Sequence, residues 1–248
     1  LIRSLFIYGR YKKLIRGIPQ TRWPCGNCQG KGCEECNFSG KQYPTSVEEL
    51  ITPPYVKATN AKDSKFHGAG REDIDVRMMG TGRPFVLELI DPQKRNIDLE
   101  KLKLIVNQNN EGKVEILKLR FSDKDEVISI KENAEYSKKK YKALVEAENE
   151  ISEDEFKEFL SNLKDNLEGS KIKQKTPQRV AHRRADKVRE KKIFEVIGKY
   201  LKPNIFEFSI KTQGGTYIKE LISGDEGRTI PSFSSIFQQS LLTKNLDV

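Results

Sequence analysis

The chain has 248 residues, of which 36% are hydrophobic and 33% are charged, so it can build a core and is too apolar for a disordered chain. Its 45 basic and 36 acidic residues give a net charge of +9. This balance favours a polyanionic partner, usually nucleic acid, over the alternative of a basic protein without one. No run of about 18 apolar residues is present, so no membrane partner is expected. No signal peptide is recognisable, which predicts a cytoplasmic location.

The first predicted elements lie on either side of a cysteine-rich stretch. Residues 1–22 mix apolar and basic side chains and end in prolines, which predicts a helix or an extended connector from an upstream domain. A short helix is predicted after Thr45 or Ser46, because either hydroxyl can cap it. Pro53 and Pro54 are expected to stop that helix.

The periodicity of the remaining chain predicts alternating strands and helices. Strands are predicted at 85–90, 113–121, 126–132 and 139–148, and as a pair within 190–213 that turns at Pro203. Helices are predicted at 96–112 with Asp98 as cap, at 152–169 with a Ser152–Glu155 capping box, and after the two glycines of "GGTYIKELISG". Strand pairs close in sequence among helices predict an α+β domain on a largely antiparallel sheet.

All four cysteines lie within the twelve-residue stretch "CGNCQGKGCEEC". Two C-x2-C pairs separated by four residues can supply four thiolates to one tetrahedral Zn²⁺. The prediction is therefore a structural zinc knuckle formed by Cys25, Cys28, Cys33 and Cys36. Reduced thiols without metal are the alternative, and disulfides are disfavoured by the absence of an export signal.

A second unusual stretch is the basic segment, residues 170–192, which contains ten Lys or Arg residues and two acids. Such density is typical of a surface that follows a phosphate backbone, although an ordinary solvated basic face is the alternative. Thr176-Pro177 in its middle indicates a shaped, mobile loop that leads into a strand or helix.

Four motifs in order, "GREDIDVRMMGTGRPF", "KKYKALVEA", "QKTPQRVAHRRADKVR" and "QGGTYIKELISGD", resemble the archaeal and eukaryotic tRNA pseudouridine synthase family that acts on positions 54 and 55. The cysteine stretch followed by "SVEELI" is also similar to that family, and the resemblance covers about residues 23–248. It implies a catalytic domain at 45–248 with a central, mostly antiparallel mixed sheet, flanking helices and an RNA-binding cleft. The knuckle at 23–44 would pack on it, downstream of an RNA-binding domain that precedes the connector.

The resemblance also implies catalytic residues. The family's G-R-x-D signature matches residues 70–73, so the nucleophile should be Asp73, with Asp75 as the alternative two residues on. The K-x-Y motif matches residues 139–141, so Tyr141 should pack on the target base. The G-T-Y-I-[RK] motif implies that Lys219 lies against the catalytic aspartate.

Further residues are expected to contact the RNA. Leu221 or Ile218 should supply apolar pocket wall, and "RMMGTGRPF" should form a flexible lip over the substrate. The remaining expected contacts to substrate are Arg71, Arg77, Arg83, Arg179, His182, Arg183, Arg184 and Tyr217.

The chemistry of the residues agrees with this resemblance. Isomerising uridine needs a glycosidic bond broken and a carbon–carbon bond formed without redox change, and a carboxylate nucleophile suits that task. The resemblance implies action on the T-arm of tRNA, with no cofactor expected for catalysis, and the chain is expected to act as a monomer. The rival interpretations are a zinc-knuckle RNA-binding module without chemistry and a base-modifying transferase, for which no phosphate-cradling glycine motif is present.

Overall fold

The computed structural model describes residues 3–182 and 184–248, which form two compact units. The first unit runs to Asn133 and the second begins at Ala134. Helices and strands are mixed in both, and within each unit the strand pairings of the described residues are antiparallel. The predicted α+β class is therefore confirmed. The division between the units does not coincide with the boundaries predicted at residues 22 and 44.

The strands of the first unit are β1 (Leu5–Lys13), β2 (Asp63–Gly68), β3 (Val76–Ile90) and β4 (Val114–Ser122). Its helices are α1 (Val47–Ile51), α2 (Pro53–Thr59) and α3 (Leu99–Asn109), while α4 (Lys124–Tyr136) runs across the boundary between the units. Strand β1 lies between β3 and β4, and β2 pairs with the second half of β3.

The connector predicted for the start of the chain is instead a sheet strand. Strand β1 is hydrogen-bonded on both edges, and its alternate residues from Leu5 to Lys13 are buried. Alternation with period two is the signature of a strand with one face on the core. The basic residues between the apolar ones concealed this pattern in the sequence. The last buried position, Lys13, is itself basic and so does not look like part of an apolar face.

The flexible lip predicted at residues 77–85 is also corrected, since these residues belong to β3. Tyr11 pairs with Arg83 and Lys13 pairs with Met78, so the ladder to β1 shifts register between them and resumes. Gly82 makes this irregularity possible: its φ is +73°, and a Cβ there would lie 2.8 Å from Tyr11 O. A residue with a side chain would be strained in that position.

Helix α1 ends at Ile51, just before Pro53, as predicted, and Pro53 also begins α2, because proline at the first helical turn loses no hydrogen bond. One further prediction in the first unit was wrong. Residues 126–132 are helical rather than a strand. The Asp123 carboxylate accepts from the Glu126 N–H at 2.9 Å and so caps α4, while Val127 and Ile130 face inward at helical spacing.

The strands of the second unit are β5 (Lys138–Ala147), β6 (Lys171–Lys175), β7 (Val188–Lys202), β8 (Ile205–Gln213), β9 (Thr229–Ile230) and β10 (Leu241–Asp247). They are paired in the order β10-β5-β8-β7-β6-β9. The helices are α5 (Glu153–Leu167), α6 (Gln178–Ala181), α7 (Ile218–Ser223) and α8 (Phe233–Phe237). The predicted β7–β8 turn at Pro203 is confirmed.

Helix α5 covers the β7–β8 face of this sheet. Ser152 and Glu155 form the predicted capping box, and Phe156 stacks on Phe206 of β8 with ring centroids 4.8 Å apart. Burial of such aromatic side chains dominates the stability of a core of this kind. Within residues 3–182 and 184–248, the structure contains no helix with the length and apolar character needed to cross a bilayer.

Candidate active site and metal centre

The four cysteine side chains lie close together in a loop whose two ends are joined by backbone pairing. Pro24 and Lys41 form a β-bridge, and the Cys25 N–H donates to Gly40 O at 2.9 Å. All four Sγ atoms lie within 4.8 Å of one another. Gly40 has a φ of +66°, and a Cβ there would lie 2.4 Å from Gly30 O, so only glycine fits this close approach.

The spacing of the sulfur atoms matches a tetrahedral metal site. The Sγ–Sγ distances are 3.9 Å for Cys25–Cys33, 3.8 Å for Cys28–Cys36 and 3.7 Å for Cys33–Cys36. Zn–S bonds of about 2.3 Å in a tetrahedron place neighbouring sulfurs about 3.8 Å apart. Four thiolates around one Zn²⁺ leave no open coordination position, so a metal here would be structural.

Backbone N–H groups point at these sulfur atoms. The Gly32 N–H donates to Cys28 Sγ at 3.2 Å, and the N–H groups of Cys33 and Gly40 donate to Cys36 Sγ at 3.2 and 3.3 Å. The donors on Cys36, that of Cys33 first, lower the pKa of its thiol to about 6. Stabilised thiolates are the form that binds metal.

Asp73 lies on the aspartate loop, residues 69–75, which leads into β3. The backbone of this loop is held at several points by side chains from elsewhere in the first unit. Lys13 Nζ donates to Asp73 O at 3.0 Å and to Ile74 O at 3.2 Å. Gln20 Nε2 donates to Gly70 O at 3.0 Å. Asp73 itself is half-buried, and Asp75 is exposed.

A buried charge cluster, formed by Tyr11, Lys13, Gln20, Glu72 and Arg83, lies beneath the loop. The Glu72 carboxylate accepts from Tyr11 Oη at 2.8 Å and from Arg83 Nε at 2.8 Å, and lies 3.9 Å from Lys13 Nζ. Gln20 Nε2 donates to the Tyr11 hydroxyl at 2.8 Å. The side chains of Lys13 and Glu72 are both 0% exposed. Buried charges of this kind persist only when they are paired and hydrogen-bonded.

Burial changes the protonation equilibria of this cluster. Desolvation, followed by the negative charge of Glu72, raises the pKa of Tyr11 well above its ordinary value. Desolvation lowers the pKa of Lys13, and the carboxylates of Glu72, Asp75 and Asp73 oppose that shift. Tyr11 is therefore a neutral hydrogen-bond donor to Glu72.

The three arginines predicted to contact phosphate around the loop have different environments. Arg71 is exposed, and Arg77 is half-buried on β3. Arg83 is 3% exposed, and its guanidinium donates to Glu72 and, at 2.8 Å, to Ala69 O. Arg83 is thus committed to the charge cluster, so its prediction as a phosphate contact is corrected.

The other predicted catalytic residues lie in the second unit. Tyr141 is buried on β5, where it pairs with Ile210 of β8. Lys219 is half-buried in α7, and Leu221 of the same helix is fully buried. Tyr217 is the N-cap residue of α7, and its backbone is fixed by Gln174, which donates to Tyr217 O and accepts from Tyr217 N, both at 2.9 Å.

The basic segment is shaped by ion pairs rather than being a plain loop. Arg179 Nε donates to the buried Glu220 carboxylate of α7 at 2.6 Å, and Arg184 donates to the Tyr217 hydroxyl at 3.1 Å. His182 and Arg184 are exposed. Arg183, which was predicted with them, lies outside the described residues.

Sequence reasoning missed Lys13, Gln20 and Glu72 as parts of the candidate site. One signal was present: Lys13 continues the alternation of buried positions along β1, which marks it as a buried cation. Nothing comparable in the sequence marks Gln20, because it lies in an irregular stretch and its two hydrogen-bond partners are 9 and 50 residues away.

The described residues thus define an α+β protein with a four-cysteine knuckle, an aspartate loop anchored on buried charges, and a basic segment. A family model described as "Pus10, C-terminal" matches residues 6–248. The chain belongs to this family, which confirms the resemblance found in the motifs.

Curated relatives match over the whole chain. The tRNA pseudouridine synthase Pus10 of Methanocaldococcus jannaschii is 53% identical over 247 residues, and that of Methanothermobacter marburgensis is 50% identical over 247 residues. Both matches cover 100% of this chain, but they cover 53% and 60% of the relatives. The chain therefore spans little more than half the length of these proteins.

A chain in a solved structure of a Cbf5–Nop10–Gar1 complex is similar in fold, with 17% sequence identity and a TM-score of 0.46. The alignment covers 81% of this chain and 44% of the chain in that complex. A similarity at that level carries no argument about the site.

Proposed function

We propose that this chain is the catalytic part of a tRNA pseudouridine synthase, which isomerises uridine to pseudouridine at position 54, position 55 or both in the T-arm. The observation that carries the proposal is the family match over residues 6–248, together with curated relatives named for this activity. The match includes the aspartate loop, and its motif supports Asp73 as the reacting residue.

The reaction adds and removes no atoms, so the proposed site needs no redox or organic cofactor. The bond between ribose C1′ and base N1 breaks, a bond between C1′ and C5 forms, C5 loses a proton and N1 gains one. The Asp73 carboxylate acts as the nucleophile that allows the base to detach and turn. Asp73 suits this role because Lys13 holds its backbone carbonyl while the residue is only half-buried.

Further residues are proposed to receive the target base and the RNA backbone. Tyr141 stacks on the target base, which returns about 1–3 kcal/mol of the energy needed to unstack it. Lys219 supplies positive charge to the reaction, and Leu221 forms apolar wall. Arg71, Arg77, His182 and Arg184 contact phosphates, while Arg179 orders the basic segment through Glu220. Arg183 stays a predicted contact to the RNA. The monomeric state and the cytoplasmic location also stay predictions.

Mapping pseudouridine in an unmodified tRNA transcript tests this function. After incubation with the protein, modification is expected at position 54, position 55 or both, and at no other uridine in the transcript. Nucleotide-resolution chemical mapping would show it, with the transcript alone as control. Tight, salt-dependent tRNA binding without any pseudouridine would instead favour the non-catalytic RNA-binding module.

We further propose that the cysteine knuckle holds one structural Zn²⁺. Purified protein is expected to contain about one zinc per chain by elemental analysis, because the sulfur spacing fits Zn–S bonds of ordinary length. Cys33→Ser should lower the zinc content severalfold. Ser39→Ala is a suitable control, since the Ser39 hydroxyl bonds backbone groups of the knuckle: it donates to Cys36 O and accepts from the Lys41 N–H. Metal-free wild-type protein with four titratable thiols would contradict the proposal.

A further inference from the structure

We propose that Lys13 is a positioning residue for the reaction, in which its buried ammonium holds the backbone of Asp73. This inference rests on the proposed function, because it concerns how the nucleophile is placed. Lys13 lies 60 residues before Asp73, in the segment that sequence reasoning treated as a connector.

The ammonium of Lys13 is fully used by backbone oxygens. Its Nζ lies 3.0 Å from Ile18 O, 3.0 Å from Asp73 O and 3.2 Å from Ile74 O. A lysine ammonium has three donors, so each one has an acceptor. The Glu72 carboxylate is farther away, at 3.9 Å, and balances the charge without taking these hydrogen bonds. The geometry is that of a tether on the loop rather than of a simple ion pair.

The chain just after Lys13 holds the same loop at neighbouring atoms. The Gly17 N–H donates to Ile74 O at 2.9 Å, and Arg16 donates to Asp75 O at 2.7 Å. The carbonyls of Asp73, Ile74 and Asp75 therefore all accept hydrogen bonds from residues 13–17. A loop constrained at consecutive peptide groups cannot move its backbone, and with it the Cα of Asp73, without breaking several of these bonds.

Burying a lysine to hold a loop costs desolvation free energy, which indicates that the placement of this loop is important for function. Desolvation disfavours its charged form, and an apolar side chain of similar length would fill the same space at lower cost. Its three hydrogen bonds are what an apolar residue cannot supply. Two of these bonds go to Asp73 and to the residue after it.

Lys13→Met tests the inference, because methionine keeps the length and removes the donors. Under single-turnover conditions, the rate constant for pseudouridine formation should fall by about 100-fold, the effect of a misplaced reacting group. The dissociation constant for tRNA should stay within about threefold, since the side chain is buried and cannot touch RNA. Lys12→Met is the matched control: its ammonium, on the neighbouring residue, pairs with Glu115 at 2.9 Å, and its rate should be unchanged.

The outcomes separate this inference from the function on which it rests. The positioning role would be overturned by an unchanged rate in folded Lys13→Met, or by equal losses in rate and affinity. The proposed function would still stand in that case, provided that the wild type is active and Asp73→Asn is inactive. No pseudouridine from the wild type would remove both. If Lys13→Met fails to fold, Lys13→Gln decides by the same criteria, because its amide is polar but shorter than the lysine side chain that reaches Asp73 O and Ile74 O. A rate loss of about tenfold at unchanged affinity is then expected.

Discussion

Asp73→Asn is expected to abolish pseudouridine formation, with a loss of more than about 1,000-fold in the single-turnover rate constant. An amide has the shape of the carboxylate but is not a competent nucleophile. Binding of tRNA should stay within about threefold, because the exchange removes a negative charge that faces a polyanion and leaves the buried tethers of the loop in place. Single-turnover assays and filter binding on the same transcript measure the two effects.

The matched control is Asp75→Asn, two residues farther along the loop. Asp75 is exposed and its carbonyl is held by Arg16, so its substitution should change the rate by only a few-fold. If Asp75→Asn were inactive and Asp73→Asn active, the nucleophile would be Asp75. If both variants kept wild-type rates, the carboxylate mechanism itself would be wrong.

Glu72→Gln should destabilise the protein by about 3–5 kcal/mol, the usual result of removing one partner from a buried charge pair. The substitution removes the carboxylate that Lys13, Arg83 and the Tyr11 hydroxyl share, and all of these groups are buried. The free energy of unfolding from urea denaturation measures the effect.

Glu115→Gln is the control for this second prediction. It removes the carboxylate partner of Lys12, but this pair is partly exposed, so the expected loss is about 0–1 kcal/mol. Equal stability of Glu72→Gln and wild type would show that the charge cluster does not anchor the first unit.

Local patterns predicted most elements whose signals are contained within a few residues. The Asp98 and Ser152 caps and the β7–β8 turn are examples, because each depends on hydrogen bonds or turn chemistry between neighbours in sequence. Helix α4 was missed for the opposite reason. Its β-branched residues suggest a strand, and helical burial of Val127 and Ile130 outweighs that preference.

The candidate site was predicted unevenly. The cysteine knuckle could be predicted from spacing alone, since all four ligands lie within twelve residues. The choice of Asp73 came from a family motif, because nothing in the composition of the loop distinguishes it from Asp75. Arg83 was misjudged as a phosphate contact because an arginine near glycines in a polar stretch is usually exposed, whereas here it is bonded to Glu72.

The sequence by itself determined the family, the four-cysteine knuckle and the basic segment, since each is written in residues that are close together or in an ordered set of motifs. Only the tertiary structure decided what holds the aspartate loop. Lys13 and Gln20 reach Asp73 and Gly70 across 60 and 50 residues of chain, and no local pattern encodes such contacts. Burial removes water as a competing partner and so strengthens these long-range hydrogen bonds, which join segments next to the paired strands β1 and β3.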